Sequence, residues 1–450
     1  MNKTKYQVLA DELAQAIGSG KLSPDARLPS VRELMAQHSL SLATVNSALH
    51  TLERQGLVEP RAKAGYFVKR PVRDTPAAAR ADLAGAPSVA RNWGPSEDLF
   101  PGQRWQSLLG SVIRRNPFLS TRYTFGLGHP RLRAELARRS AENGCFLKED
   151  ELIITHGATE ALVLALRAST EAGQRVLVQA PVGALFTRLL DTLALVPVLL
   201  ECKVDDPGFI AEVQARLEGE DAPKVFLLVA NYHFPTSALM PLMAKRNLLR
   251  LAEKHAVTLI EDDVYGDLQH AGARPLTLKS FDLKGNVVYV NSCSKTLAPG
   301  LRIGWLAAGK WRERIAYMKS ASASTVSELS QLVLAEFLAQ GSHVPHLRKI
   351  RKELKSRTGE YLSIMRLALG KSVEIGDVAG GFSLWLPLPE QVSAEEIQLR
   401  LHTYWPLLEG EDSPQMVVVS RGLCFNTSIA LSDPLRRSLT AFCFYLRGLY

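Results

Sequence analysis

Long apolar runs are missing from this chain: no segment reaches the ~18 unbroken apolar residues that a membrane-spanning helix needs. Its first residues, MNKTKYQVLADELAQAI, place charges where a secretory leader would carry an apolar core. Cysteine is scarce too. The five cysteines (Cys145, Cys202, Cys293, Cys424 and Cys443) are scattered, odd in number and never spaced as C-x-x-C. This argues against a disulfide framework and a structural metal site. The expectation is a reduced, cytoplasmic protein that binds no metal and no membrane. No internal repeat of roughly 20–50 residues is apparent either, so a solenoid or propeller is not expected.

What is present is a globular composition, 46% hydrophobic and 22% charged. A chain of 450 residues is too long for one ordinary core and predicts two or three folding units. The net charge is +9 and unevenly spread. Residues 1–73 hold 11 lysines and arginines against 6 acidic residues, a local net of +5. That favours nucleic acid as the partner of the first segment. On charge alone, a solvated basic surface explains it equally well.

Periodicity in residues 1–70 predicts three helices. Leu9, Leu13 and Ile17 mark one apolar stripe. The second helix opens at PSVRE, where Ser30 and Glu33 have the spacing of a capping box. The third runs from about Ser41, with Val45, Ala48, Leu49 and Leu52 on one face. LVEPRAKAGYFV then reads as two short strands around a basic turn that contains Lys63 and ends at Gly65. Three helices and a basic hairpin predict a winged helix-turn-helix whose third helix enters the major groove of double-stranded DNA. Ser41, Thr44 and Asn46 point away from the apolar stripe, towards phosphates or base edges, and Arg32 suits a phosphate or guanine contact. Residues 71–91, PVRDTPAAARADLAGAPSVAR, are rich in alanine, proline and arginine and read as a flexible linker.

From residue 92 to 450 the runs RVLVQA, KVFLLVA, VTLIEDD and NVVYVNS alternate with helical patterns. Such alternation predicts an α/β fold with a largely parallel sheet. Ligands bind at the carboxyl ends of strands in such sheets. There the chain places Asp262 and Tyr265 after one run, and Ser292, Lys295 and Arg302 after another. Gly157, Ala158 and Thr159 open a helix after a third, a start that favours a phosphate. Each element alone is weak. In this order they suit a phosphorylated aldehyde cofactor: a lysine for the Schiff base, a carboxylate for a pyridine nitrogen, a phenol for the ring hydroxyl, and an arginine with a helix start for the phosphate.

The motifs resemble known families. GKL, RLPSVREL, TVNSALHTLERQGLV and GYFV resemble the GntR-family winged helix along its full length. That family often has Arg where Leu42 stands, so one basic contact is missing and the operator preference is expected to differ. Residues 92–450 resemble fold type I aminotransferases, which use pyridoxal 5'-phosphate and add a smaller C-terminal α/β subdomain. The resemblance implies Lys295 as the cofactor lysine, Asp262 on the pyridine nitrogen and Tyr265 on the phenolic oxygen. It implies Ala158, Thr159, Ser292 and Arg302 around the phosphate, and Tyr123 reaching the neighbouring subunit's phosphate. Head, linker and large domain together resemble the MocR subfamily of bacterial regulators. This implies a homodimer that responds to an amine, an amino acid or the cofactor itself as effector.

Four positions depart from an enzyme pattern. Phe234 and Ser237 in NYHFPTS stand where the family has Asn and Gly, and Gly183 where it has a ring-stacking aromatic. Ser428 aligns with the arginine that clamps a substrate carboxylate, with Arg421 as a possible substitute. These losses argue against ordinary α-amino acid transamination. Retained Lys295, Asp262 and Tyr265 keep an active aminotransferase with an attached DNA-binding head as the alternative. A decayed site left as a dimerisation module is the third reading.

Overall fold

The protein is described by a computed structural model. It describes residues 5–18, 22, 26–54, 57–61, 65–68, 93–119, 121, 126–219, 221–322, 325–370, 373, 375–389, 391–392, 397, 400, 416–419 and 422–450. The chain divides into two compact units, Met1–Pro87 and Ser88–Tyr450. The linker reading, Lys63, Tyr123 and Arg421 lie outside the described residues.

The first unit holds α1 (Lys5–Gly18), α2 (Val31–His38), α3 (Leu42–Arg54), β1 (Val58–Arg61) and β2 (Gly65–Val68). The expected apolar stripes form its core: Leu9 and Leu13 pack with Leu34, Val45, Leu49 and Leu52. Ser30 caps α2 as its spacing predicts. The Glu33 amide donates to Ser30 Oγ and the Ser30 amide donates to Glu33 Oε2 at 2.6 Å. β1 and β2 pair antiparallel, Val58 opposite Val68. Residues 26–28 add a third extended segment, which the sequence pattern did not signal. The Leu28 amide donates to the Tyr66 carbonyl, and the Val68 amide to that of Ala26.

The second unit is built on a seven-stranded sheet. Its strands are β3 (Leu152–Thr155), β4 (Arg175–Gln179), β5 (Val196–Leu200), β6 (Val225–Leu228), β7 (Thr258–Asp262), β8 (Val287–Ser292) and β9 (Gly304–Ala307). Their spatial order is β3-β9-β8-β7-β6-β4-β5. β9 runs antiparallel to both neighbours, and the pairings from β8 through to β5 are parallel. Every residue of β6, β7 and β8 is buried. That is the signature of parallel strands covered on both faces, and it explains why they read as continuous apolar runs. Alternate residues serve opposite faces. Ile260 and Val288 meet the helix Gly157–Ser169, while Leu259 and Val287 meet the helices Phe209–Leu217 and Leu242–Lys254. A smaller antiparallel sheet follows, β10 (Ser383–Pro387), β11 (Met416–Val419) and β12 (Gly422–Asn426), with β12 central. The helices His343–Leu369 and Asp433–Arg447 cover it around Tyr361, Leu439 and Phe442. Among the described residues no helix is long and apolar enough to cross a membrane.

Candidate functional site

The carboxyl ends of β3, β7 and β8 bring most of the expected residues together. Lys295 is half-buried in the loop after β8, and its Nζ donates to the Trp93 carbonyl. Burial lowers its pKa to about 8; the nearby Asp262 charge opposes this and Arg302 reinforces it. Asp262, buried at the end of β7, is pushed up to about 7, chiefly by burial. The Val264 amide and the Lys295 charge act the other way. Burial drives the Tyr265 phenol well above its ordinary range, with the charge of Asp262 adding to it. Lysine, carboxylate and phenol thus share one electrostatic environment, and each is disfavoured in its charged form by loss of water.

A cradle lies beside them. The helix Gly157–Ser169 starts without a side-chain cap. Gly157 has φ +75°, and a Cβ there would meet the Arg302 guanidinium at 3.0 Å. Gly304 pairs with Ser292 across β9 and β8. A Cβ on Gly304 would fall 2.3 Å from the Gly157 carbonyl carbon and 2.7 Å from the Ala158 nitrogen. Backbone therefore meets backbone, and Ala158, Ser292 and Arg302 gather at an uncapped helix start. Thr159 is exposed on its first turn. An uncapped helix start beside a guanidinium fits a phosphate, and a half-buried amine of lowered pKa beside a buried carboxylate fits a pyridoxal ring. The chain's residues therefore suit pyridoxal phosphate.

The departures from the enzyme pattern turn out to be coupled. Phe234 packs on Gly183, where a Cβ would lie 2.8 Å from the Phe234 ring. The ring fills the space a side chain at 183 would need. Phe234 also meets Trp93, with ring centroids 5.0 Å apart, and Trp93 stacks on Phe382 at 6.1 Å. Phe382 in turn meets Tyr265 edge-on at 5.7 Å. Ser237 adopts φ +56°, the left-handed conformation that favours glycine, and its Oγ donates to the Ser383 carbonyl at 2.7 Å. Ser428 is fully buried; its Oγ donates to Asn426 Oδ1 at 2.6 Å and accepts from the Ser96 amide at 2.9 Å.

Sequence reasoning missed Trp93 and Phe382. Trp93 stands just past the linker in no periodic pattern, so only its contacts reveal it. It also missed a buried ionic cluster behind β7. There Arg274 pairs with Asp263 and Asp267, Arg139 with Asp267, and Lys245 donates to Asn231 Oδ1 at 2.6 Å.

On the first unit, Arg32 and Asn46 are exposed. Ser41 caps α3: its Oγ accepts from the Thr44 amide at 3.3 Å and lies 2.8 Å from the Thr44 hydroxyl. Gly65 has φ +99°, which only glycine adopts without strain, and it opens β2 opposite Arg61 and beside Arg27.

This combination, a winged helix-turn-helix with an aminotransferase fold, defines a class of bacterial regulator. Residues 5–68 match the model for bacterial regulatory proteins of the gntR family, and residues 119–409 match that for aminotransferase class I and II. The chain is 33% identical over 422 residues to the uncharacterized HTH-type transcriptional regulator YdcR of Escherichia coli K12, covering 89% of this chain and 90% of that one. It is 26% identical over 405 residues to the probable rhizopine catabolism regulatory protein MocR of Rhizobium meliloti, covering 84% and 80%. Among solved structures, the multiple substrate aminotransferase of Thermococcus profundus aligns with a TM-score of 0.72 at 20% identity, covering 79% of this chain and 90% of that one. The kynurenine aminotransferase of Pyrococcus horikoshii aligns with a TM-score of 0.73 at 20% identity, covering 84% and 95%. At that identity the likeness concerns the fold alone. The chain belongs to the MocR subfamily of GntR-type transcriptional regulators.

Proposed function

We propose that this regulator holds pyridoxal phosphate at Lys295 and uses the site to sense the cofactor or an amine or amino acid, shifting a homodimer between DNA-binding states. The observation that carries the reading is the grouping of Lys295, Asp262 and Tyr265 beside the Arg302–Gly157 cradle. Bound there, the cofactor supplies an aldehyde carbon open to a primary amine and a ring that draws electrons from it. Lys295 offers that amine. Asp262, buried and reluctant to ionise without a partner, keeps a ring nitrogen protonated, and Tyr265 donates to the ring hydroxyl. Arg302, Ser292, Ala158 and Thr159 hold the phosphate, with Tyr123 of the neighbouring subunit reaching it. Arg32, Ser41, Thr44, Asn46, Lys63 and Gly65 face the DNA.

Turnover of common amino acids is expected to be weak. A bidentate arginine on a carboxylate contributes about 1.5–3 kcal/mol, and Ser428 supplies no such clamp. Purified protein given pyridoxal phosphate should develop a visible absorption band that Lys295→Ala abolishes, and borohydride should fix the cofactor to the peptide containing Lys295. Trapping on another lysine refutes the assignment. Multiple turnovers with any common amino acid and 2-oxoglutarate would favour the enzyme reading instead; altered DNA affinity without turnover supports sensing.

A further inference from the structure

The short segment Trp93–Ser96 opens the described part of the second unit, directly after the stretch that joins it to the DNA-binding unit in sequence. Among the described residues, three hydrogen bonds to distant parts of the chain tie it down. The Ser96 amide donates to Ser428 Oγ at 2.9 Å, and the Gly94 carbonyl accepts from Asn426 Nδ2 at 2.8 Å. These two anchors rest on the end of β12 and the turn that follows. The third is different in kind: the Trp93 carbonyl accepts from Nζ of Lys295. The Trp93 ring meets both Phe234 and Phe382, and its buried indole Nε1 has no hydrogen-bond partner among the described residues. Among the described residues Trp93 is therefore held by apolar contact and by one donor, and that donor is the Lys295 amine.

An amine cannot serve both roles. Condensing a primary amine with an aldehyde exchanges its two N–H bonds for one C=N bond and releases the aldehyde oxygen as water. A nitrogen so committed points at the carbon it has bonded, and its donation to the Trp93 carbonyl ends. A half-buried carbonyl that loses a charged donor loses one of the stronger hydrogen bonds a protein makes.

We propose that the Lys295–Trp93 contact is a latch: engagement of Lys295 by a carbonyl ligand releases the Trp93 end of the segment, and this release carries site occupancy to the chain leading into the DNA-binding unit. The proposal rests on the reading of Lys295 as the cofactor lysine and adds the route by which occupancy leaves the site. Trp93 acts here as a positioning residue. Ser428, at the place expected of a carboxylate clamp, serves as the fixed end of the same segment.

The latch makes a prediction that simple sensing does not. Without added cofactor, Lys295→Ala lacks the donor, so it should behave as wild type does with pyridoxal phosphate bound. If Lys295 only captures cofactor, the variant should behave as wild type does without it. Two readouts on the full chain decide between these. One is affinity for a duplex recovered from random-sequence DNA by selection on the wild-type protein. The other is hydrogen exchange of the Gly94 and Ser96 amides, residue 95 being proline, followed by mass spectrometry. In wild type, pyridoxal phosphate should speed that exchange on the order of 10–100-fold, the worth of one charged hydrogen bond. Lys295→Ala should exchange equally fast from the outset and ignore the cofactor. Trp93→Phe, which keeps the carbonyl and an aromatic ring, should retain the wild-type response and guard against a folding artefact. A visible band at Lys295 with unchanged exchange at Gly94 and Ser96 overturns the latch and leaves the cofactor reading standing. Absence of the band overturns both.

Discussion

Burial brings the Lys295 amine down to about 8, with Arg302 pushing the same way and Asp262 opposing. The folded value lies below that of a free lysine. The fold therefore bears a penalty for the ammonium below about pH 8, relieved as pH rises from there towards the ordinary lysine range. The same shift prepares the amine for chemistry, because only the neutral form attacks a carbonyl. Formation of the visible band after mixing with pyridoxal phosphate should accelerate with pH, reach half its maximum near pH 8 and level off above it. A rate still climbing tenfold per pH unit at about pH 9.5 would contradict the assignment, being the behaviour of an exposed lysine. Asp262→Asn removes the opposing charge and should move the midpoint lower. Gly183 and Phe234 carry a second prediction. Gly183→Ala places a methyl 2.8 Å from the Phe234 ring and should cost about 1–3 kcal/mol by overpacking. In a Phe234→Asn background most of that cost should vanish, so a double-mutant cycle by urea denaturation should return a coupling energy rather than additive losses.

Strand ends and helix starts translate these residues into a site. β9 follows the Lys295 loop and turns back antiparallel between β3 and β8, pressing Gly304 against Gly157. Gly304→Ala must push these backbones apart. It should weaken retention of pyridoxal phosphate, measured by equilibrium dialysis, while Lys295 stays chemically intact. Unchanged retention would argue against the cradle as the phosphate site. Behind β7, the Arg274–Asp263–Asp267–Arg139 cluster is almost wholly buried. Arg274→Met takes an ion-pair partner from buried Asp263 and one of two from Asp267, and should destabilise the unit by roughly 3–5 kcal/mol in chemical denaturation. In the DNA-binding unit, the Ser30 hydroxyl accepts from the Glu33 amide. Ser30→Ala should cost about 1 kcal/mol there.

DNA binding by the complete chain should weaken steeply with salt as phosphate neutralisation releases counterions. Arg32→Ala and Asn46→Ala should each weaken a shift assay on the selected duplex. If both variants bind as tightly as wild type, the reading face is misplaced. The winged helix was legible in the chain because helical periodicity, the Ser30–Glu33 box and the GntR motifs are local, each written within a few turns of sequence. So were the runs that became β4, β6, β7 and β8, since strands buried on both faces must be apolar throughout. The order of Asp262, Tyr265, Lys295 and Arg302 along the chain was legible for the same reason: each lies at or after the carboxyl end of a strand. β5 was less readable, its residues partly exposed, and β9 is a four-residue strand with no periodic signal. The pairing of Phe234 with Gly183, the Arg139–Asp267 pair behind β7 and the grip of Lys295 on Trp93 join residues about 50 to 200 positions apart. Nothing local encodes such contacts. Packing and the loss of water impose them only once the sheet has brought its strand ends together.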